Sequence, residues 1–92
     1  MTELQLKVVD PNGMHARPAG LLVKALSACP GQVTLSLRER QADGRRLFSV
    51  MALGAKLGDV LQVKIAGDAD AQAETEQALR AFCGEGSAFS LM

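Results

Sequence analysis

His15 is the only histidine in a chain of 92 residues, and it stands within Gly13-Met14-His15-Ala16-Arg17-Pro18-Ala19. An imidazole is the side chain best suited to accept and donate a group at neutral pH. Here it stands where a turn gives way to a helix. Pro18 suits the first turn of a helix, where its missing N–H leaves nothing unsatisfied. The backbone N–H groups of Ala16 and Arg17 are then free donors at a positive helix end. Such an end favours anions, phosphate above all. The guanidinium of Arg17 adds a fork that matches phosphate oxygens. A nucleophilic imidazole, free amides and an arginine together describe a site that takes a phosphoryl group onto histidine. The plainer alternative is a histidine that merely caps a helix or decorates the surface.

The elements that must position this segment are legible as changes of period. Leu4, Leu6 and Val8 alternate with Gln5 and Lys7, the pattern of a half-buried strand. Asp10-Pro11-Asn12-Gly13 ends it with turn chemistry. Ala19, Leu22, Val23 and Leu26 then follow one helix face, and Pro30-Gly31 stops that helix. Val33, Leu35 and Leu37 form a second alternating strand. Asp43-Gly44 reads locally as a hairpin tip. The segment from Leu47 to Met51 fits a short helix through Leu47, Val50 and Met51, or a strand through Phe48, Val50 and Ala52. Gly58-Asp59 leads into Leu61, Val63 and Ile65, another strand. Asp68 is placed to cap a last helix with a buried stripe of Ala71, Thr75, Ala78, Leu79 and Phe82, ending near Gly84. This order predicts one sheet with helices stacked on one face. Residues 1–84 are expected to form one domain, and residues 85–92 a flexible tail.

Composition narrows the function. Lysine plus arginine equals aspartate plus glutamate at 10 each, and the chain has no Trp or Tyr to stack on bases. Nucleic-acid binding is therefore not expected, and the arginines at Arg38, Arg40, Arg45 and Arg46 read as a solvated surface. Cys29 and Cys83 fit no metal spacing, so no metal and no cofactor are expected. Both read as small apolar residues of a reduced, cytoplasmic protein. The amino terminus shows no signal peptide, and no stretch is long enough to insert in a membrane.

Three segments stand out together: Asn12-Gly13-Met14-His15-Ala16-Arg17-Pro18-Ala19; Val50-Met51-Ala52-Leu53-Gly54 with Lys56 and Gly58-Asp59; and Ala66-Gly67-Asp68-Ala69-Asp70. Through them nearly the whole chain, from Leu4 to about Phe82, resembles the HPr family, the histidine-containing phosphocarriers of the bacterial phosphoenolpyruvate-dependent sugar phosphotransferase system. The resemblance implies an α+β fold, an open-faced β-sandwich of order β-α-β-β-α-β-α with a four-stranded antiparallel sheet. It moves the hairpin turn to Arg38-Glu39, places a third strand over about Arg40 to Asp43, and starts a short helix near Leu47.

It further implies that His15 accepts phosphate from phosphorylated enzyme I, at Nδ1, and passes it to the A component of a sugar permease. Arg17 and the N–H groups of Ala16 and Arg17 would meet the phosphoryl charge as it builds on the equatorial oxygens. Leu47, Phe48 and Met51 would dock partners, with at least one of them serving the core. The protein would be a monomeric carrier and not an independent catalyst. One departure matters. Arg46 stands where many members carry a regulatory serine, and Ser49 lies three residues further on. Other readings are a carrier of a nitrogen-related or dihydroxyacetone-kinase relay, a regulatory module controlled by His15 phosphorylation, or an interaction domain with no phosphotransfer.

Overall fold

A computed structural model describes residues 1–84 and 86–92. Chain order is β1 (Thr2–Val8), α1 (Ala16–Ser27), β2 (Gln32–Leu37), β3 (Arg40–Asp43), α2 (Leu47–Ala52), β4 (Val60–Ala66), α3 (Ala69–Phe82) and β5 (Phe89–Leu91). The strands form one antiparallel sheet in the order β3-β2-β4-β1-β5.

Register explains the single core. Leu4 pairs with Val63, Leu6 with Leu61, Val33 with Ile65 and Leu35 with Val63. The apolar rows of β1, β2 and β4 therefore fall on one face, where a strand's period of two places alternate side chains. Leu6, Leu35, Leu61, Val63 and Ile65 are fully buried there together with Leu22, Leu26 and Leu79 of the helices. Each such side chain contributes about 1.5–3 kcal/mol. The opposite rows are polar, with Gln5 facing Gln62 and Thr34 facing Lys64.

The α+β sandwich is as expected, with one difference: the sheet has five strands and not four. Part of the segment read as a tail is β5, which pairs Phe89 with Val8 and Leu91 with Leu6. Phe89 is only 1% exposed, and its ring stacks on Phe82 at 5.9 Å between centroids. A strand of three residues is too short to show a period, so its apolar residues gave no signal until β1 was there to pair with. Glu85, also in that segment, lies outside the described residues.

The middle of the chain follows the order that the family resemblance implied. The β2–β3 turn is Arg38-Glu39, and Arg38 takes a positive φ of 56°. That conformation favours glycine, so the tip lacked the usual residue signature. Gly44 serves packing instead. It is buried, its N–H donates to Val33 O at 2.8 Å, and a Cβ there would lie 2.7 Å from Leu26 Cδ1.

The last helix begins as read, with Asp68 Oδ1 accepting the Ala71 N–H at 2.8 Å. Its buried stripe is narrower than expected. Thr75 and Leu79 are buried, Ala71 and Phe82 are half-buried, and Ala78 is exposed. Thr75 is the one polar residue of the core among the described residues, and its Oγ1 accepts the Gly31 N–H at 2.9 Å. This bond ties α3 to the residue that leads into β2.

Candidate functional site

His15 is the N-cap residue of α1, with extended backbone angles of φ −89° and ψ −178°. Its carbonyl accepts the Ala19 N–H at 3.1 Å, and its own N–H donates to Gly13 O at 3.0 Å. The imidazole makes no capping bond. Its side chain is 40% exposed, so the ring is open to an incoming group. Pro18 occupies the third helical position and is buried. Among the described residues, the N–H groups of Ala16 and Arg17 have no hydrogen-bond partner. Both residues are exposed, which leaves two donors of the first turn facing solvent beside the ring.

The approach to the helix is clamped. Gly13 has a φ of +71°, and a Cβ there would lie 2.7 Å from Ala55 O and 3.0 Å from Lys56 Cα. The next residue, Met14, is buried and donates its N–H to Ala55 O at 2.8 Å. The sequence between α2 and β4 thus fixes where His15 sits. Two distant motifs, Asn12–Ala19 and Val50–Asp59, meet at this contact.

Asp10, Asn12, His15, Arg17, Leu21 and Ser87 help line an open cleft of about 450 Å³. The predicted pair, His15 and Arg17, therefore share one surface. Asp10, Leu21 and Ser87 were not anticipated. Asp10 carried only a turn signal, Leu21 lies off the apolar face of α1 and is 52% exposed, and Ser87 comes from the segment leading into β5. The Oδ1 atom of Asp10 lies 3.4 Å from His15 Nε2.

A match to the family model described as the phosphotransferase-system HPr component phosphorylation site runs over residues 2–83. The chain belongs to the HPr family. HPr proteins are phosphoryl carriers of the phosphotransferase system, phosphorylated on a histidine. The chain is 35% identical over 68 residues to the phosphocarrier protein HPr of Xylella fastidiosa, covering 74% of this chain and 76% of that one. It is 32% identical over 71 residues to HPr of Mycoplasma capricolum, covering 76% and 80%. The crystal structure of HPr-C-His from Thermoanaerobacter tengcongensis superposes with a TM-score of 0.79 at 27% identity, covering 89% of this chain and 90% of that one.

The short helix α2 presents its residues unequally. Phe48 is 83% exposed, Leu47 and Met51 are half-buried against the core, and Val50 is fully buried. Arg46 is the N-cap residue of α2 and makes no side-chain cap; its Nε lies 3.9 Å from Asp43 Oδ2. With no cap and a cation at its start, α2 is held by the packing of Val50, Leu47 and Met51.

The thiols stand apart from this chemistry. Cys29 is buried and Cys83 half-buried, and both are free. Burial, then the Glu74 carboxylate, pushes the Cys29 thiol up against the opposing pull of Arg45. Burial alone pushes Cys83 up to about 11. Neither is a ready thiolate nucleophile. Among the described residues no cluster of three metal-ligating side chains forms, and no helix is long and apolar enough to cross a membrane.

Proposed function

We propose that His15 is the phosphoryl acceptor of this HPr protein, that Nδ1 is the atom phosphorylated, and that Arg17 and the free amides of Ala16 and Arg17 stabilise the transferring group. The observation that carries this reading is the placement of His15 at the cap of α1, half exposed, beside two unpartnered N–H donors. In transfer, the Nδ1 lone pair forms a bond to phosphorus as the donor's N–P bond breaks and its electron pair returns to the donor ring. Charge on the three equatorial oxygens meets fixed amides and a guanidinium, which need not reorganise.

The donor in this reading is phosphorylated enzyme I, and the acceptor is the A component of a sugar permease, all in the cytoplasm. The protein acts as a monomeric carrier with no cofactor, through one domain whose sheet takes in β5 beyond the expected limit at residue 84. Partners dock in turn on the face that carries His15, with Phe48 as an apolar contact flanked by Leu47 and Met51. Arg46, in place of the regulatory serine of many relatives, leaves no hydroxyl at that position for a kinase to modify.

Incubation of the protein with enzyme I and labelled phosphoenolpyruvate tests the assignment. The label should be acid-labile and alkali-stable, as a phosphoramidate is, and absent from His15→Ala. Label retained on that variant would place the acceptor elsewhere.

A further inference from the structure

Asp10 opens the turn before His15, and its carboxylate is held in place. Oδ1 accepts the Asn12 N–H at 2.8 Å, and the Asp10 carbonyl accepts the Gly13 N–H at 2.9 Å. The turn is fixed in turn to the body by the contact of Gly13 and Met14 with Ala55. The carboxylate is therefore presented at a set position, and His15 Nε2 faces it at 3.4 Å. Their side chains are 24% and 40% exposed, so solvent screens the pair only in part. Among the described residues His15 is the one ionisable partner of Asp10, and Nδ1 has no hydrogen-bond partner.

We propose that Asp10 is a positioning residue for phosphoryl transfer, holding the imidazole in the tautomer that carries its proton on Nε2. A carboxylate can only accept, so it favours the proton on the ring nitrogen that it faces, and the state of the other nitrogen follows from that contact. With the proton held at Nε2, the lone pair is left on Nδ1. This proposal rests on His15 being the acceptor. When Nδ1 bonds phosphorus, the donor N–P bond breaks and its electrons return to the donor ring. The His15 ring is then substituted at Nδ1, protonated at Nε2 and positively charged. Asp10 faces that charge. At 3.4 Å the resting contact is longer than a formed N–H···O bond, and it shortens as the ring becomes cationic. When the group moves on, the N–P electrons return to Nδ1 and the ring is neutral again, still protonated at Nε2.

Two substitutions separate geometry from charge. Asp10→Asn retains an oxygen for the Asn12 N–H and for Nε2–H. Asp10→Ala removes both the oxygen and the charge. Long-range ¹H–¹⁵N spectra of the ring, recorded where it is neutral, should show the Nε2–H tautomer in the wild type and in Asp10→Asn. They should show a mixture of tautomers in Asp10→Ala. Single-turnover phosphorylation by enzyme I should slow by about tenfold in Asp10→Ala, equivalent to about 1.4 kcal/mol of barrier, with KM for the carrier unchanged. Asp10→Asn should fall between. A wild-type ring protonated mainly on Nδ1, or an Asp10→Ala protein with the wild-type tautomer balance or the wild-type rate, overturns the proposal. Label surviving in His15→Ala would instead remove the acceptor assignment and the transfer role of Asp10 with it, while the tautomer measurement would stand on its own.

Discussion

Arg17 projects from the second position of α1, exposed, with no hydrogen bond to hold it among the described residues. A guanidinium in that state is free to close on a phosphoryl group and adds no detectable support to the fold. Arg17→Ala should therefore leave the urea midpoint unchanged. It should slow phosphorylation of His15 by about tenfold to a hundredfold, the loss of one charge-assisted contact in the transition state. Stopped-flow transfer from enzyme I measures this, and an unchanged rate would leave Arg17 without a role in transfer. The thiol of Cys83 gives a second residue-level prediction, with its pKa raised by burial from 9.0 to about 11. Between those values the unfolded chain loses the thiol proton first. Stability is therefore full below pH 9.0 and falls as pH rises toward about 11. Urea unfolding under reducing conditions should show this slope in the wild type and a shallower one in Cys83→Ala.

At the scale of elements, the segment that carries His15 depends on a backbone clamp more than on helix propensity. Any L-residue at position 13 must adopt the left-handed region, at roughly 1–2 kcal/mol, and must also push its Cβ away from Ala55 O. Gly13→Ala should lower stability by about 2–3 kcal/mol and slow transfer, because the cap residue shifts with the turn. Chemical denaturation together with transfer kinetics checks both halves. A variant as stable and as fast as the wild type would show that the clamp does not govern the position of His15. The same dependence on neighbours decides α2. Its six residues have no side-chain cap, and Val50 anchors them by complete burial. A helix this short does not persist without such packing.

For the whole molecule, β5 is the addition that local pattern did not disclose. It pairs with the free edge of β1, buries Phe89 against Phe82, and brings residues 86–88 to the rim of the His15 cleft. Phe89→Ala should destabilise the fold by about 3–5 kcal/mol, the usual result of truncating a buried phenylalanine. Thermal and urea unfolding measure it. A loss below about 1 kcal/mol would mean that the strand adds little to the core.

The sequence by itself determined the parts that rest on short-range chemistry. Alternation marked β1, β2 and β4, the Asp68 cap marked the start of α3, and the run from Gly13 to Ala19 marked a histidine at a helix entrance beside an arginine. These signals are local because a strand's period, a cap and a turn each involve neighbours along the chain. Other features depended on partners far along the chain. The Arg38-Glu39 turn lacks glycine and is set by the β2–β3 register, while Gly44 answers to Leu26 and Val33. Ala78 fell off the buried face because the contact surface of α3 is narrower than its apolar stripe. Phe89 found a core position only once β1 offered an edge. Asp10 is five residues from His15, yet only the folded turn, pinned through Gly13 and Met14 to Ala55, sets its carboxylate against Nε2 and leaves Nδ1 open. The chemistry of the site was legible in its residue types, whereas its orientation came from contacts between segments some 40 residues apart, which no local pattern encodes.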